Sequence, residues 1–133
     1  MTIGLPNATR TAKAQAVKDL AAGGTFELRS GAAPAATAAD SGTLLAVFTL
    51  GTPAFGTVTD GVMSIAGVPL TDDALAADSG ATKHFRVKTS GGTHIYQGSV
   101  TASGGGGDAI IDNINIAIGQ EVNLNAHTYT QPG

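Results

Sequence analysis

Alternating apolar and polar positions divide most of this chain into short extended segments. The clearest is residues 82–101, where Phe85 and Val87 alternate with polar neighbours before the chain reaches Gly91 and Gly92. Aromatic and β-branched residues resume beyond the two glycines. Glycine accepts the positive φ angles of a tight turn, and period-2 patterning on both arms is typical of paired strands. We therefore predict a hairpin here and treat it as the centre of the fold.

Several other segments show the same strand pattern. Residues 25–30 place Phe26 and Leu28 on one face. Residues 43–50 are apolar on both parities, which predicts a central strand covered on both faces, with Phe48 in the core. An Asp60-Gly61 turn predicts a second, shorter hairpin. The remaining strand segments are 55–58, 61–66, 109–118 (Ile114, Ile116 and Ile118 inward) and 122–128 (Val122, Leu124, Ala126 and Thr128 inward).

One segment has helical spacing. Residues 9–22 follow a possible cap at Asn7 or Thr9 and end at Gly23-Gly24, where a positive φ costs glycine nothing. Packing on the protein's own sheet is the favoured interpretation, and docking on a partner is the alternative. The predicted buried stripe is Ala12, Ala16, Val17, Leu20 and Ala21.

Short strands after a single N-terminal helix predict a mainly β protein. We expect an antiparallel β-sandwich or jelly-roll-like barrel. The organisation is one compact domain, with an N-terminal segment and helix in residues 1–24 and the β-sandwich in residues 25–133.

Three stretches have no period and are predicted to be loops. Residues 31–42, GAAPAATAADSG, hereafter the alanine-rich loop, contain few groups able to pack. We expect a surface loop, and in an assembly an arm that becomes ordered only against a neighbour. Residues 68–81 form another loop, and the SGGGG run at 103–107 is a flexible connection.

Composition narrows the function classes. The chain has 133 residues, 19 glycines and no tryptophan, so its single core is modest. Without cysteine, disulfides and thiolate zinc sites are excluded. Charged residues make up 13% and the net charge is −3, with dispersed lysines and arginines, which does not favour a nucleic-acid partner. No signal peptide or membrane span is recognisable, which predicts a cytoplasm-like compartment or packaging from one.

The candidate chemical groups do not form a recognisable site. His84, His94 and His127 invite a metal interpretation, but the two on the hairpin are offset, so we predict solvent-facing strand positions. The SGGGGD run lacks the Lys-Ser/Thr of a phosphate loop, and no nucleophile has its spaced partners. We predict no catalytic, metal or cofactor-binding residues and no cofactor. Asp72, Asp73, Asp78, Asp108 and Asp112 lack calcium-loop spacing and are expected to bond nearby backbone.

The order of these features resembles a family of small virion proteins of tailed bacteriophages. The similarity rests on FELRSGAAPA, GTLLAVFTL, AFGTVTDGVMSIAG and FRVKTSGGTHIYQGSVT, after a TRTAKAQAVKDLAAGG helix. These motifs are strand and turn motifs, cover nearly the whole chain and carry over no catalytic residue.

The resemblance implies a non-enzymatic capsid decoration (cement) protein. Such a protein binds the outer capsid surface as a homo-oligomer, a dimer or trimer, and stabilises contacts between major capsid proteins. Its location is the virion surface after assembly in the host cytoplasm, without nucleic-acid or membrane partners. A neck, tail or fibre component and a host-surface glycan-binding β-sandwich are the alternatives. The expected contact elements are Thr2 to Arg10, Ala32 to Ser41 and Leu70 to Gly80.

Overall fold

The computed structural model describes residues 6–35, 37–72, 79–102 and 104–131. Within these ranges the protein is mainly β with one N-terminal helix, which confirms the predicted fold class. The elements are α1 (Asn7–Ala21), β1 (Thr25–Ser30), β2 (Leu44–Thr49), β3 (Val62–Ser64), β4 (Leu70–Thr71), β5 (Gly80–Lys88), β6 (His94–Ala102), β7 (Ala109–Ile111), β8 (Asn115–Ile116) and β9 (Asn123–Thr130).

The strands form one curled mixed sheet, a half-barrel. The order along the sheet is β2-β1-β5-β6-β7-β9-β3, with β4 paired to β9 and β8 paired to β5. In the described part of the chain the β6–β7 pair is parallel and the other ladders are antiparallel. A two-layer sandwich or jelly roll is therefore not confirmed, because a single sheet encloses the core by curling.

The central hairpin is confirmed. β5 and β6 pair antiparallel on either side of Gly91 and Gly92, with Phe85 opposite Gly98. The register shifts between Val87 and Lys88, so a bulge lies close to the turn. The Asp60-Gly61 turn is confirmed too: both residues have positive φ, 51° and 80°, and Thr59 bridges to Val62.

The core fills the concave face of the sheet. Phe26 stacks on Phe85 with ring centroids 4.5 Å apart, and the predicted core residue Phe48 meets the edge of Phe26 at 6.2 Å. β2, however, lies at the end of the strand order rather than in its centre, paired with β1. The apolar residues on both parities predicted that both faces of β2 are covered. In a curled sheet, an end strand can be covered on both faces although only one strand pairs with it.

The buried face of α1 differs from the prediction. Ala14 and Ala21 are buried, whereas Leu20 is 53% exposed. Two polar residues on the Ala14 side bond to the segment that precedes β3: Thr11 Oγ1 accepts the Gly61 N–H at 3.0 Å, and Lys18 Nζ donates to the Gly56 carbonyl at 3.0 Å. Of the other predicted stripe residues, Ala12 and Ala16 are exposed and Val17 is half-buried.

The last strands also depart from the predicted alternation. Ladder register shifts where β7 meets β9, so that Ile110 pairs with Ala126 and Ile111 with Leu124. This bulge reverses the parity of β9 beyond Leu124. Residues 126 and 128 are exposed, and His127 is buried in their place. Ile118, predicted inward, is 68% exposed.

Two predicted loops are partly regular. Residues 68–81 contain β4 and the first residues of β5, while positions 73–78 lie outside the described residues. The glycine run contains a turn with the Gly105 N–H bonded to the Ala102 carbonyl, and position 103 lies outside the described residues.

Candidate functional site

The convex face of the sheet, hereafter the outer face, carries charged residues from two neighbouring strands. Phe26 and Leu28 of β1 point to the core, so the alternating residues Glu27 and Arg29 point outward. On β5 the same alternation turns Arg86 outward, directly opposite Glu27. Adjacent strands therefore place opposite charges side by side.

Arg86 is the centre of this face and is only 1% exposed. Its Nη1 donates to the Ala38 carbonyl and to Asp40 Oδ1, both at 3.0 Å. Its Nη2 donates to the Ala35 carbonyl at 3.2 Å, and its Nε donates to Gln97 Oε1 at 3.0 Å. All three guanidinium nitrogens are thus bonded, and three of the four acceptors belong to the alanine-rich loop.

Asp40 joins the remaining charges into one network. Its Oδ2 accepts from Lys88 Nζ at 2.6 Å and from Arg29 Nη2 at 3.2 Å. Glu27 Oε1 accepts from the same two cations, at 3.1 Å from Lys88 and 2.9 Å from Arg29. With Arg86 the network has three cations and two carboxylates, so its formal charge is +1.

The network shifts the ionisation of two members. The hydrogen bond from Lys88, followed by the charge of Arg29, holds the pKa of Asp40 below its ordinary value against the opposing effect of burial. Burial disfavours the charged form of Lys88, but the hydrogen bonds to Asp40 and Glu27 outweigh it and raise its pKa. Both groups are therefore charged at neutral pH.

The ends of the alanine-rich loop are fastened separately. The Ser30 N–H donates to the Thr43 carbonyl at 3.1 Å, and the Thr43 N–H donates to Ser30 Oγ at 2.9 Å. Gly42 packs so closely that a Cβ there would lie 1.9 Å from the Ser30 carbonyl oxygen. His84 Nδ1 bonds to the Gly31 carbonyl at 2.8 Å. The loop is a closed, anchored structure of the isolated chain.

The surface of this loop is made of small side chains. The side chains that hold the loop bond mainly to its carbonyl groups, so the alanine methyl groups remain exposed on its surface. Gln97 adds one more anchor, with its Nε2 donating to the Pro34 carbonyl at 2.5 Å. The expectation of an arm that becomes ordered only against a neighbour is corrected, because Arg86 holds the loop on its own sheet. Among the described residues of this loop, the exposed alanines are Ala32, Ala33, Ala35, Ala38 and Ala39.

A second cluster lies where β6 and β9 approach each other. Tyr96 Oη and His127 Nε2 are 2.6 Å apart, and His127 Nδ1 lies 2.7 Å from the Asp108 carbonyl. A carbonyl only accepts, so Nδ1 carries the hydrogen and Tyr96 donates to Nε2. Burial lowers the pKa of His127 and raises that of Tyr96, which keeps both groups neutral. A cavity of about 290 Å³ adjoins this pair.

The histidines do not form a common site. His84 and His127 are 1% and 3% exposed, so the prediction of solvent-facing positions is wrong for both. The outer face is buried beneath the alanine-rich loop, and the β9 bulge turns His127 inward. His94 is half-buried, and burial lowers its pKa. No group of three or more metal-ligating side chains converges within the described ranges.

The three candidate aspartates that are described each accept a backbone N–H, but only Asp112 bonds its sequence neighbour as predicted, whereas Asp72 and Asp108 bond residues that are distant in sequence. Asp72 Oδ1 accepts the Val122 N–H at 3.2 Å, Asp108 Oδ2 accepts the Ser99 N–H at 3.0 Å, and Asp112 Oδ1 accepts the Asn113 N–H at 3.0 Å. Asp73 and Asp78 lie outside the described residues.

No helix in the described part of the chain has the length and apolarity to span a membrane. Comparison of the chain with protein-family models, curated proteins and solved structures finds no match.

Proposed function

We propose that this chain is a non-enzymatic structural protein of a tailed-bacteriophage particle, a capsid decoration protein. It binds the outer capsid surface and stabilises contacts between major capsid proteins, as a dimer or trimer, at the virion surface after assembly in the host cytoplasm. The role needs no cofactor, nucleic acid or membrane. The strand and turn motifs of the sequence support the family, and the alanine-rich loop supports a binding role.

The observation that carries the proposal is the anchored alanine surface. Small side chains allow the backbone of a partner to approach closely, as in tightly packed helix pairs. Because Arg86 and Asp40 already fix the loop, binding does not have to order it, and the entropy cost of association is reduced. A surface of this kind suits a protein that acts by shape complementarity.

The loop itself is the proposed contact element. Of the other two predicted elements, residues 2–10 include the start of α1, with positions 2–5 outside the described residues. Residues 70–80 include β4 and the first residue of β5, with positions 73–78 outside the description. Their part in binding stays a prediction.

The test uses purified particles that lack the protein. Recombinant wild-type chain is added, unbound protein is removed, and bound copies are counted by quantitative gel analysis. Decoration predicts hundreds of copies and a higher temperature of particle disruption. Ala33→Glu places a charge on the exposed loop and is expected to reduce binding at least tenfold. Ala16→Glu on the exposed side of α1 is the matched control and should bind like the wild type.

The alternatives give different results. A neck, tail or fibre component binds at about a dozen copies or fewer. For glycan binding, Tyr96 and Tyr129 meet edge to face with centroids 5.0 Å apart, and both hydroxyls are hydrogen-bonded. Saturable binding to immobilised glycans without binding to particles would support that alternative and refute decoration.

A further inference from the structure

β6 and β9 are not paired with each other in the described ranges, and β7 lies between them for only part of their length. β7 fills the space between them for three residues, pairing Val100 of β6 with Ala109 and Ala109 with His127 of β9. Continuing the line of β7 backwards past Ala109, β6 runs towards His94 and β9 towards Thr130. No ladder joins β6 to β9 in the described ranges, and the 290 Å³ cavity lies at this place. We call it the strand gap.

Main-chain groups of β6 point into the strand gap. The Ser99 N–H faces β7, because it donates to Asp108 Oδ2 at 3.0 Å. Backbone polar groups alternate between the two edges of a strand, so the N–H and carbonyl of Gln97 face the same side. β7 begins opposite Val100 and does not extend alongside Gln97, so this part of the β6 edge faces the gap.

The opposite wall is an edge of β9. The His127 carbonyl faces β3, since it accepts the Ile65 N–H at 2.9 Å, and the Gln131 N–H faces the same way, bonding to the Gly61 carbonyl at 2.9 Å. By the same alternation, the main-chain groups of Thr128 and Thr130 face the strand gap. Two edges with regularly spaced donors and acceptors thus confront each other.

Aromatic rings close the core side of the gap. Tyr96 contacts Tyr129 with centroids 5.0 Å apart and stacks on His127 at 5.8 Å. These rings leave little depth, so a residue facing them has to be small. On the other side, Thr128 and Thr130 are exposed.

We propose that the strand gap binds a short extended peptide segment of another protein by β-strand addition. The segment lies parallel to β6 and antiparallel to β9, in line with β7. Three residues of β9, 128–130, correspond to a bound length of about 10 Å. The segment has glycine, alanine or serine facing Tyr96 and Tyr129, and it lacks proline where an N–H is needed.

The peptide class follows from the donors available. Both tyrosine hydroxyls already have partners, with Tyr96 bonded to His127 and Tyr129 donating to Gln131 Oε1 at 2.8 Å. What remains is the main chain of β6 and of β9 on the two sides of the strand gap, which a third main chain between them complements. This inference does not depend on the particle function, because it concerns β6 and β9 rather than the alanine-rich loop.

The experiment titrates ¹⁵N-labelled protein with an acetylated, amidated Thr-Ala-Thr-Ala-Thr peptide and follows the amide resonances. We expect saturable shifts at Gln97, Thr128 and Thr130, with a Kd of about 1 mM or tighter. The same peptide with N-methylated alanines lacks the donors and should bind at least tenfold more weakly. Absence of shifts at these amides, equal binding of the methylated peptide, or shifts confined to β2 at the end of the sheet would each overturn the proposal.

Two variants localise the effect. Thr130→Pro removes an N–H that faces the gap and should weaken binding at least tenfold, while Thr130→Ala keeps it and should stay within twofold of wild type. The Met63 amide resonance reports whether β3 still pairs with β9. If the proline variant does not fold, Tyr129→Trp provides the same test, because its larger ring fills more of the core side of the strand gap and should weaken peptide binding. Unchanged binding by the folded variant would contradict the proposal.

Discussion

Arg86 and Asp40 are 46 positions apart in sequence, and their side chains meet at 3.0 Å on the outer face of the sheet. A buried guanidinium is costly to remove from water unless its nitrogens are hydrogen-bonded. Here the nitrogens bond to Asp40, Gln97 and two loop carbonyls. The sheet therefore packs on both faces: an aromatic core on the concave side, and a polar layer under the alanine-rich loop on the other.

Replacement of Arg86 by Met should release the loop. The Ala35 and Ala38 carbonyls lose their donor and Asp40 loses one cation, so we expect a loss of about 3 kcal/mol in the free energy of unfolding. Urea unfolding measures this change. Arg86→Lys keeps the charge without the forked donors, so its free energy of unfolding should lie between those of the wild type and Arg86→Met. An unchanged urea midpoint for Arg86→Met would show that the loop is not held from below.

Substitution of Gly98 by Ala should strain the core. A Cβ at position 98 would lie 2.7 Å from the Phe85 ring and 2.9 Å from Asp108 Oδ2. Overpacking of this kind costs about 1–3 kcal/mol. Gly91→Ala is the control, because its Cβ would meet Thr89 Oγ1 at 3.8 Å, and its effect should stay below about 0.5 kcal/mol.

A second substitution checks the cause. Phe85→Leu alone replaces the ring that obstructs position 98 by a smaller side chain and is destabilising. In the Phe85→Leu, Gly98→Ala double variant the alanine should cost less than it does alone. Strict additivity of the two changes would rule out the ring as the obstacle.

The buried His127 should make stability fall in mild acid. Its pKa is lowered by burial, so the unfolded chain takes up a proton first as the pH falls below about 6.5. The contribution is fully present above that value and declines below it, by up to about 1.4 kcal/mol per pH unit. Urea unfolding at pH 7.5, 6.5 and 5.5 should show this slope and a smaller one for His127→Gln.

His94 contributes to the same slope, because its pKa is also lowered by burial and by the charge of Arg86. His94→Asn should therefore remove part of the dependence and serves as the comparison variant. The same slope in His127→Gln and wild type would assign the whole effect to other groups.

Asp40→Asn should weaken the charge network of the outer face in a pH-dependent way. The pKa of Asp40 is lowered, so its stabilisation is fully present above about pH 3.9 and is lost as the pH falls through the folded-state value. Because the carboxylate is 32% exposed, we expect a loss of only about 1 kcal/mol at pH 7. Urea unfolding at pH 7, 5 and 3 should show the difference narrowing at pH 3. A difference that persists at pH 3 would mean that charge is not its source.

Strand periodicity predicted much of the fold because it depends on local alternation. The β5–β6 hairpin, β1 and the core position of Phe48 follow from apolar spacing and glycine turns. The curled single sheet does not, because strand order depends on distant pairing that no local pattern encodes. The position of His127 was also not predictable, because the bulge in β9 arises from its pairing with β7. One inserted residue reverses the alternation and turns His127 into the core.

The outer network was missed because its partner segment has no hydrophobic signal. Residues 31–42 lack apolar bulk, and they bind through carbonyl groups, which every residue has. One clue was available in the strands: Glu27 and Arg86 carry opposite charges on outward parities. That pattern is common on exposed sheets, and only the structure shows that a loop covers it.

The alanine-rich loop is a preformed surface rather than a free arm. Backbone ¹⁵N order parameters of the isolated protein test this most directly at Ala35, Ala38 and Asp40. We predict values near 0.85, like those of β5, which fall in the Arg86→Met variant. Values below about 0.6 in the wild-type chain would show that the loop is a flexible arm in the isolated protein.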